Sequence, residues 1–508
     1  MELPHLPALA ALFCHEMSQR RRRLLLPVRG LAPGLPLLVL LLSFASSLPA
    51  QAPDASASAV RPEAVRGELE FLAGDALQGR GSGTHDELLA ATYIASELRQ
   101  FGIQPAGPQG DYIEKVGVRR RMAAGLPTLS FPVPQGTVRW THGGDMLVLS
   151  TGGGHVSGPL QVRELSAIPG HAPVDSAGVR GAVVYISAPP ATAASELFAA
   201  AAKLDGAGAA VVLLPDLSAF QRHWKVKGAH PPHLAARLPG VADRAPGPFN
   251  MVVLRTAAAQ AVQALPAGTS ITLDVPEIAS AETATWNAIG VLRGRDPQLA
   301  AQTILLTAHL DHLGIGTPVA GDNIYNGADD DATGCVAVLQ LARALGAGPA
   351  PRRTVVFAFF GSEEVGGYGA RYFLEHPPVP LARIVANLEF EMIGWADPAV
   401  AHDALWLTGW ERSDLGPALA AHGAKLVADP HPGEDFFMRS DNIQLARRGV
   451  VAQTVSSFGL QPQYHQPSDD LAHIDFPHLV GAIQSMVAPV EWLVNSDFVP
   501  QWRLGGRP

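Results

Sequence analysis

His309-Leu310-Asp311 places an imidazole and a carboxylate two residues apart, directly after the apolar run Thr303 to Ala308. Glu363 and Glu364 follow a second such run, Thr354 to Phe360, and Glu391 follows a third, Ile384 to Phe390. His465 lies in the Pro-braced segment Tyr464-His465-Gln466-Pro467, beyond Val450 to Val455. Asn326 to Gly334 is a glycine-bounded acidic turn, with Asp329, Asp330 and Asp331 in succession, leading into a helix. Imidazoles and carboxylates in this number are ligands for divalent cations. Two zinc ions need about four N/O ligands each, with one position left for water. A bridging carboxylate reduces the repulsion between two dications, and an unligated carboxylate beside them can act as general base.

Each piece alone has a plainer reading. An Asp-rich turn before a helix is a common N-cap, His309-Leu310-Asp311 could be a polar loop, and a lone histidine is often a surface residue. Two adjacent acids at the end of a strongly apolar strand are harder to dismiss, because burying them without a cation is costly. The plainer readings do not account for all five segments falling at successive strand ends. Glu389 and Glu391 alternate onto one strand face, and position alone does not choose between them as a ligand. The spacing of His309 and Asp311 lets the carboxylate orient the imidazole or a neighbouring peptide.

The elements that must position these residues are legible as strands alternating with helices. Thr354 to Phe360 is apolar throughout, as in a parallel sheet covered on both faces. Ala288 to Leu292, Thr303 to Ala308, Ile384 to Phe390 and Val450 to Val455 are further strands, and Val336 to Leu345 is a helix. This pattern predicts an α/β fold, a three-layer sandwich with a mostly parallel central sheet. In such sheets ligands bind at the carboxyl ends of the strands, where the acids and imidazoles fall. Upstream, Val65, Leu69 and Leu72, then Leu88, Leu89, Tyr93, Ile94 and Leu98, recur at helical spacing. Between them Gly79 to Thr84 is a Gly-rich turn without the Lys-Ser/Thr of a phosphate loop. From about Asp145 to Pro276 the texture changes to short β-rich runs (Val183 to Ile186, Ala210 to Leu214, Met251 to Leu254, Ile271 to Leu273) around an Ala-rich helix, Ala193 to Leu204. That block predicts a smaller β-rich α/β domain inserted into the larger one. The expected organisation is a signal peptide over 1–52, the first part of the main domain over 53–145, the insertion over 146–282 and the rest over 283–508.

The formal net charge of the 508 residues is −9. Arg20 to Arg23 and Arg29 against Glu2 and Glu16 give the first 52 residues +3, which leaves −12 on the remainder, a body that repels nucleic acid. The cysteines are Cys14 and Cys335, so cysteine-based zinc sites are excluded and any metal must sit on His and carboxylates. The N-terminus reads as an export signal: the arginine run, an apolar stretch from Leu35 to Leu48 of about 14 residues where a span needs about 20, and small Ala50 and Ala52. The expected product is periplasmic or secreted, with no stable membrane span after signal removal.

In combination, His309 to Gly314, Asn326 to Gly334, Ser362-Glu363-Glu364, Glu391 to Gly394 and Tyr464 to Pro467 resemble the M28 zinc peptidases. The resemblance covers roughly 61–145 and 284–495, and includes Phe71 to Asp75 with Gly79 to Thr84. The inserted block resembles a PA (protease-associated) domain. The resemblance implies a zinc exopeptidase acting on peptides, with two Zn2+ ions per chain. His309 and Glu391 would hold one ion, Glu364 and His465 the other, and Asp330 would bridge them. Glu363 would be the general base, Asp311 would orient His309, and Tyr464 would contact the reacting carbonyl. The chain departs from the family in having Glu391 where Asp is usual, and Asn442 where many relatives have His. Aminopeptidase action is the leading reading. The alternatives are a carboxypeptidase of the glutamate carboxypeptidase type, which needs arginines such as Arg439, Arg447 and Arg448, a single-zinc glutaminyl cyclase, and a non-catalytic peptide-binding relative. The oligomeric state is left open.

Overall fold

The computed structural model describes residues 60–168, 174–221, 224, 228, 233–238, 250–278 and 282–508. The expected signal peptide, and most of the Pro- and His-rich stretch from His223 to Pro248, lie outside them.

The main sheet has the spatial order Glu277–Ile278, Ile113–Ala123, Glu282–Leu292, Thr354–Phe360, Thr303–His309, Ile384–Phe390, Ala452–Ser456, Leu405–Leu407, Leu426–Ala428. The four strands from Thr354–Phe360 to Ala452–Ser456 run parallel. Glu282–Leu292 joins them antiparallel, and so does Leu405–Leu407 on the other side. The centre of the sheet is therefore parallel, as expected, and its flanks are mixed.

Thr354–Phe360 shows why its sequence is continuously apolar. Val355, Phe357 and Phe359 face one core, with the helices Pro62–Leu72, His85–Gln100, Gly334–Ala347 and Phe476–Asn495. Val356, Ala358 and Phe360 face a second core, with Tyr368–Glu375 and Asn442–Arg447. Alternating side chains fill opposite layers, so neither face tolerates a polar residue until the strand ends. At about 25 cal/mol per Å², these two apolar layers hold the strand ends in register.

A second sheet runs Gly136–Thr141, Thr128–Val133, Ser270–Val275, Gly154–Glu164, Val183–Ser187, Val211–Pro215, Met251–Leu254, Met146–Ser150. It has its own cores on either face, one of them packed by the helix Ala194–Gly206. Two of its strands, Thr128–Val133 and Gly136–Thr141, precede position 146. The segment His233–Arg237 leaves this region to pair with Ile113–Ala123 of the main sheet. Beside it Leu238 packs with Val116, Val118 and Tyr368. Among the described residues, no helix is long and apolar enough to cross a membrane.

Candidate active site

The parallel strands deliver their polar residues to one edge. His309 ends its strand directly opposite Phe360, so Glu363 and Glu364 emerge beside it. Glu391 follows the neighbouring strand Ile384–Phe390. The acidic turn Ala328–Thr333 then enters the helix Gly334–Ala347.

Asp330 sits between two imidazoles. Its Oδ1 lies 3.1 Å from His309 Nε2, and its Oδ2 lies 3.1 Å from His465 Nε2. Glu364 Oε2 is 3.3 Å from the same His465 nitrogen. His309, Asp330 and Glu391 bring their ligand atoms within 4.8 Å of one another, and so do His312, Asp330 and Glu364. Asp330 is common to both groups. Glu389, left open by the sequence, is wholly buried and accepts the Asn442 N–H instead. His312 was not singled out from the sequence, since a histidine following His-x-Asp carries no signal of its own.

The flanking acids hold the frame. Asp331 accepts from the backbone N–H groups of His309, Gly334 and Met392. Asp329 accepts from Gly394 N–H and Gln461 Nε2. Asp469 accepts from the N–H groups of Asp329 and Asp330. The apparent repulsion in the three-Asp run is thus relieved by donors for the outer pair, which leaves Asp330 to face the imidazoles. Asp311 acts in two ways. Its carbonyl oxygen lies 3.2 Å from His309 Nδ1, a contact that leaves Nε2 free for a cation. Its carboxylate accepts from Glu363 N–H at 2.9 Å and from the Ser82 hydroxyl at 2.5 Å. Glu87 holds the preceding peptide, accepting from Ser362 N–H at 2.9 Å and from Gly83 N–H at 2.8 Å. Arg80, 1% exposed, donates to the carbonyls of Leu72, Leu310, Asn326 and Gly327. The Gly-rich turn from Gly79 to Thr84 is therefore a clamp on the site's loops. Apart from Leu72, the carbonyls that Arg80 reaches and the Asp311 that Ser82 reaches lie more than 200 residues away in sequence, so no local signal could have revealed this.

Electrostatically the cluster demands positive charge. Burial alone would raise Asp330, yet His309 and His465 hold its carboxyl well below the usual range. Burial works to lower His465, but the carboxylates of Asp330 and Glu364 push it up to about 10. Burial pushes Glu363 well above the ordinary range, with Asp441, Glu364 and Glu391 adding to it against His309. The donors fit zinc in type: imidazole nitrogens and carboxylate oxygens, with no thiolate. His309 Nε2, His312 Nδ1 and Glu364 Oε1 are buried without a protein hydrogen-bond partner, as ligand atoms would be.

Glu391 also lines a small cleft, whose walls include Trp406, Phe436, Phe458, Tyr464 and Arg439. Tyr464 stacks on His465 with ring centroids 3.9 Å apart. Of the three arginines weighed above, only Arg439 lines this cleft. Arg448 pairs with Glu375, and Arg447 is exposed.

The sheet and its two helical layers form an α/β sandwich with a candidate metal centre at the edge of the sheet. Residues 287–490 match the model of peptidase family M28. It is 27% identical over 235 residues to the "Probable lipoprotein aminopeptidase LpqL" of Mycobacterium tuberculosis, covering 39% of this chain and 43% of that protein. It is 29% identical over 199 residues to a vacuolar membrane protease of Penicillium rubens, covering 38% of this chain and 18% of that protein. The chain thus spans less than half the length of either relative. Its fold is similar to that of an aminopeptidase from Aneurinibacillus sp. strain AM-1, with a TM-score of 0.54 at 16% identity over 86% of this chain and 95% of the other.

Proposed function

We propose that this chain is an exported, two-zinc exopeptidase that removes N-terminal residues from peptides. The observation that carries this reading is Asp330, whose two oxygens each face a different imidazole at 3.1 Å. His309, Asp330 and Glu391 would hold one ion, and Asp330, Glu364 and His465 the other. Bound there, zinc supplies Lewis acidity and lowers the pKa of water.

The remaining chemistry falls to side chains. Glu363 is the general base: it is in neither ligand group, and Asp311 fixes its backbone. It takes the proton of the attacking water and returns it to the leaving amine. Tyr464, on the cleft wall beside Glu391, is placed to donate a hydrogen bond to the developing oxyanion. The aromatic cleft receives the terminal side chain, and the carboxylates of Glu363 and Glu391 face the free ammonium. One arginine at the cleft is too few for the carboxylate-binding cluster that a glutamate-releasing carboxypeptidase requires, and the relative LpqL carries an aminopeptidase name. We assign the second sheet, with its PA-like block, a role in limiting substrate access.

The test is mass spectrometry of a peptide mixture with free and with acetylated N-termini, before and after chelation. Stepwise loss from free N-termini only, abolished by the chelator, is expected. Glu363→Gln should lower turnover by about 10²–10⁴-fold while zinc content is unchanged. Trimming of acetylated peptides from their C-termini would refute the aminopeptidase reading, and full activity in Glu363→Gln would refute the base.

A further inference from the structure

His312 has no part in the assignment above, yet it lies inside the cluster. It is fully buried, with Nδ1 2.7 Å from Glu364 Oε1 and 3.8 Å from Asp330 Oδ2. Close as they are, His312 Nδ1 and Glu364 Oε1 are not aligned as a hydrogen bond, and both are buried atoms without a protein partner. His309 Nε2, 3.1 Å from Asp330 Oδ1, is in the same condition. His312 Nε2 is likewise buried without a protein partner.

The position is built. His312 N–H donates to the Arg80 carbonyl, and the His312 carbonyl accepts from Ser82 N–H. The ring lies against Gly327, where an added Cβ would stand 2.5 Å from the His312 Cγ. Across the Glu364 carboxylate, the rings of His312 and His465 are 5.7 Å apart.

We propose that His312 Nδ1 is a further protein ligand of the ion held by Glu364, His465 and Asp330. The inference rests on the two-zinc reading and deepens it. With His312, that ion has four N/O protein ligands, the full tetrahedral set of a closed site. The ion of His309, Glu391 and Asp330 keeps three and one open position, as catalytic zinc does. The centre is then asymmetric, with one ion holding the frame and the other facing substrate. The cleft agrees with this division, since it is lined by Glu391 and not by Glu364 or His312.

The test is anomalous diffraction at the zinc edge on crystals of the zinc-loaded full chain, with the metal content of His312→Gln measured alongside by mass spectrometry. The expected result is two zinc ions, one about 2.0–2.1 Å from His312 Nδ1. His312→Gln should give up one of its two ions at least about tenfold more readily to a chelator, while the other is retained. Two zinc ions with Nδ1 donating a hydrogen bond to Glu364 Oε1, and no zinc within bonding distance, would overturn the proposal and leave the two-zinc reading standing. A zinc-soaked crystal with no anomalous peak at the cluster would remove both.

Discussion

Replacing Arg80 with Met tests whether the N-terminal Gly-rich turn holds the site together. The guanidinium makes four hydrogen bonds, at 2.7 Å to Leu72 O, 3.1 Å to Leu310 O, 2.6 Å to Asn326 O and 2.9 Å to Gly327 O. All four acceptors are backbone carbonyls that remain after the substitution. Swapping a buried charge for an apolar side chain can be neutral when its partners change too. Here the partners cannot change. Gly327 O keeps the Ala332 N–H, so at a minimum of about 1 kcal/mol for each of the other three acceptors left without a donor, the loss is about 3 kcal/mol or more. Against a net stability of about 5–15 kcal/mol, that is a large fraction. Arg80→Lys keeps the charge, with three donors and no planar fork, so it should recover only part of the loss. The assay is urea unfolding of wild type, Arg80→Met and Arg80→Lys in metal-free buffer, with zinc uptake measured on the folded fraction. Leu310 precedes Asp311 and Gly327 lies three residues before Asp330, so Arg80→Met should also weaken zinc uptake. An Arg80→Met protein within about 1 kcal/mol of wild type, with unchanged zinc uptake, would refute the clamp.

Glu68 is 5% exposed and hydrogen-bonded to Gln340, and burial pushes its pKa from 4.5 up to about 8. A carboxyl raised in the folded state contributes stability that is complete below its unfolded pKa and is lost as pH rises through the folded one. At about 1.4 kcal/mol per pH unit, the loss between these values is bounded near about 5 kcal/mol. Glu68→Gln should therefore gain on wild type as pH rises from 5 to about 9, and a melting-temperature difference that is constant over that range contradicts the assignment. Gly327 has φ +61°, and an added Cβ would lie 2.2 Å from the Asp330 carbonyl oxygen. Gly327→Ala should cost more than about 1 kcal/mol and reduce zinc content, both measured on the purified variant. Gly67, in the helix Pro62–Leu72, has nothing within 4 Å of its added Cβ, so Gly67→Ala should stabilise by about 0.5–1 kcal/mol and serves as a control of opposite sign.

Much of the catalytic edge could be read in advance. Thr303–His309, Thr354–Phe360 and Ile384–Phe390 are buried strands, the first two largely apolar, so the residues just beyond them emerge together at one sheet edge. Ile113–Ala123, an antiparallel flank strand, was not read, because Arg119, Arg120 and Arg121 interrupt its apolar pattern. The long helix Phe476–Asn495 was not read either. The placement of Thr303–His309 between two strands that come later in the chain is likewise a matter of tertiary pairing.

The sequence alone places the candidate ligands at or just beyond the ends of buried strands. The tertiary structure decided which atom faces which. Ser362 (φ +57°), Met392 (φ +52°) and His465 (φ +57°) adopt a left-handed backbone that side chains disfavour, beside Glu363, beside Glu391 and at a proposed ligand itself. Such conformations cost about 1–3 kcal/mol each and persist only when the surroundings impose them. Glu87 on Ser362 N–H and Asp331 on Met392 N–H are part of those surroundings. Those contacts join segments that are far apart in the chain. Tertiary pairing likewise turns Glu389 to Asn442 N–H, leaves Glu391 with His309 and Asp330, and brings His312 in beside Glu364.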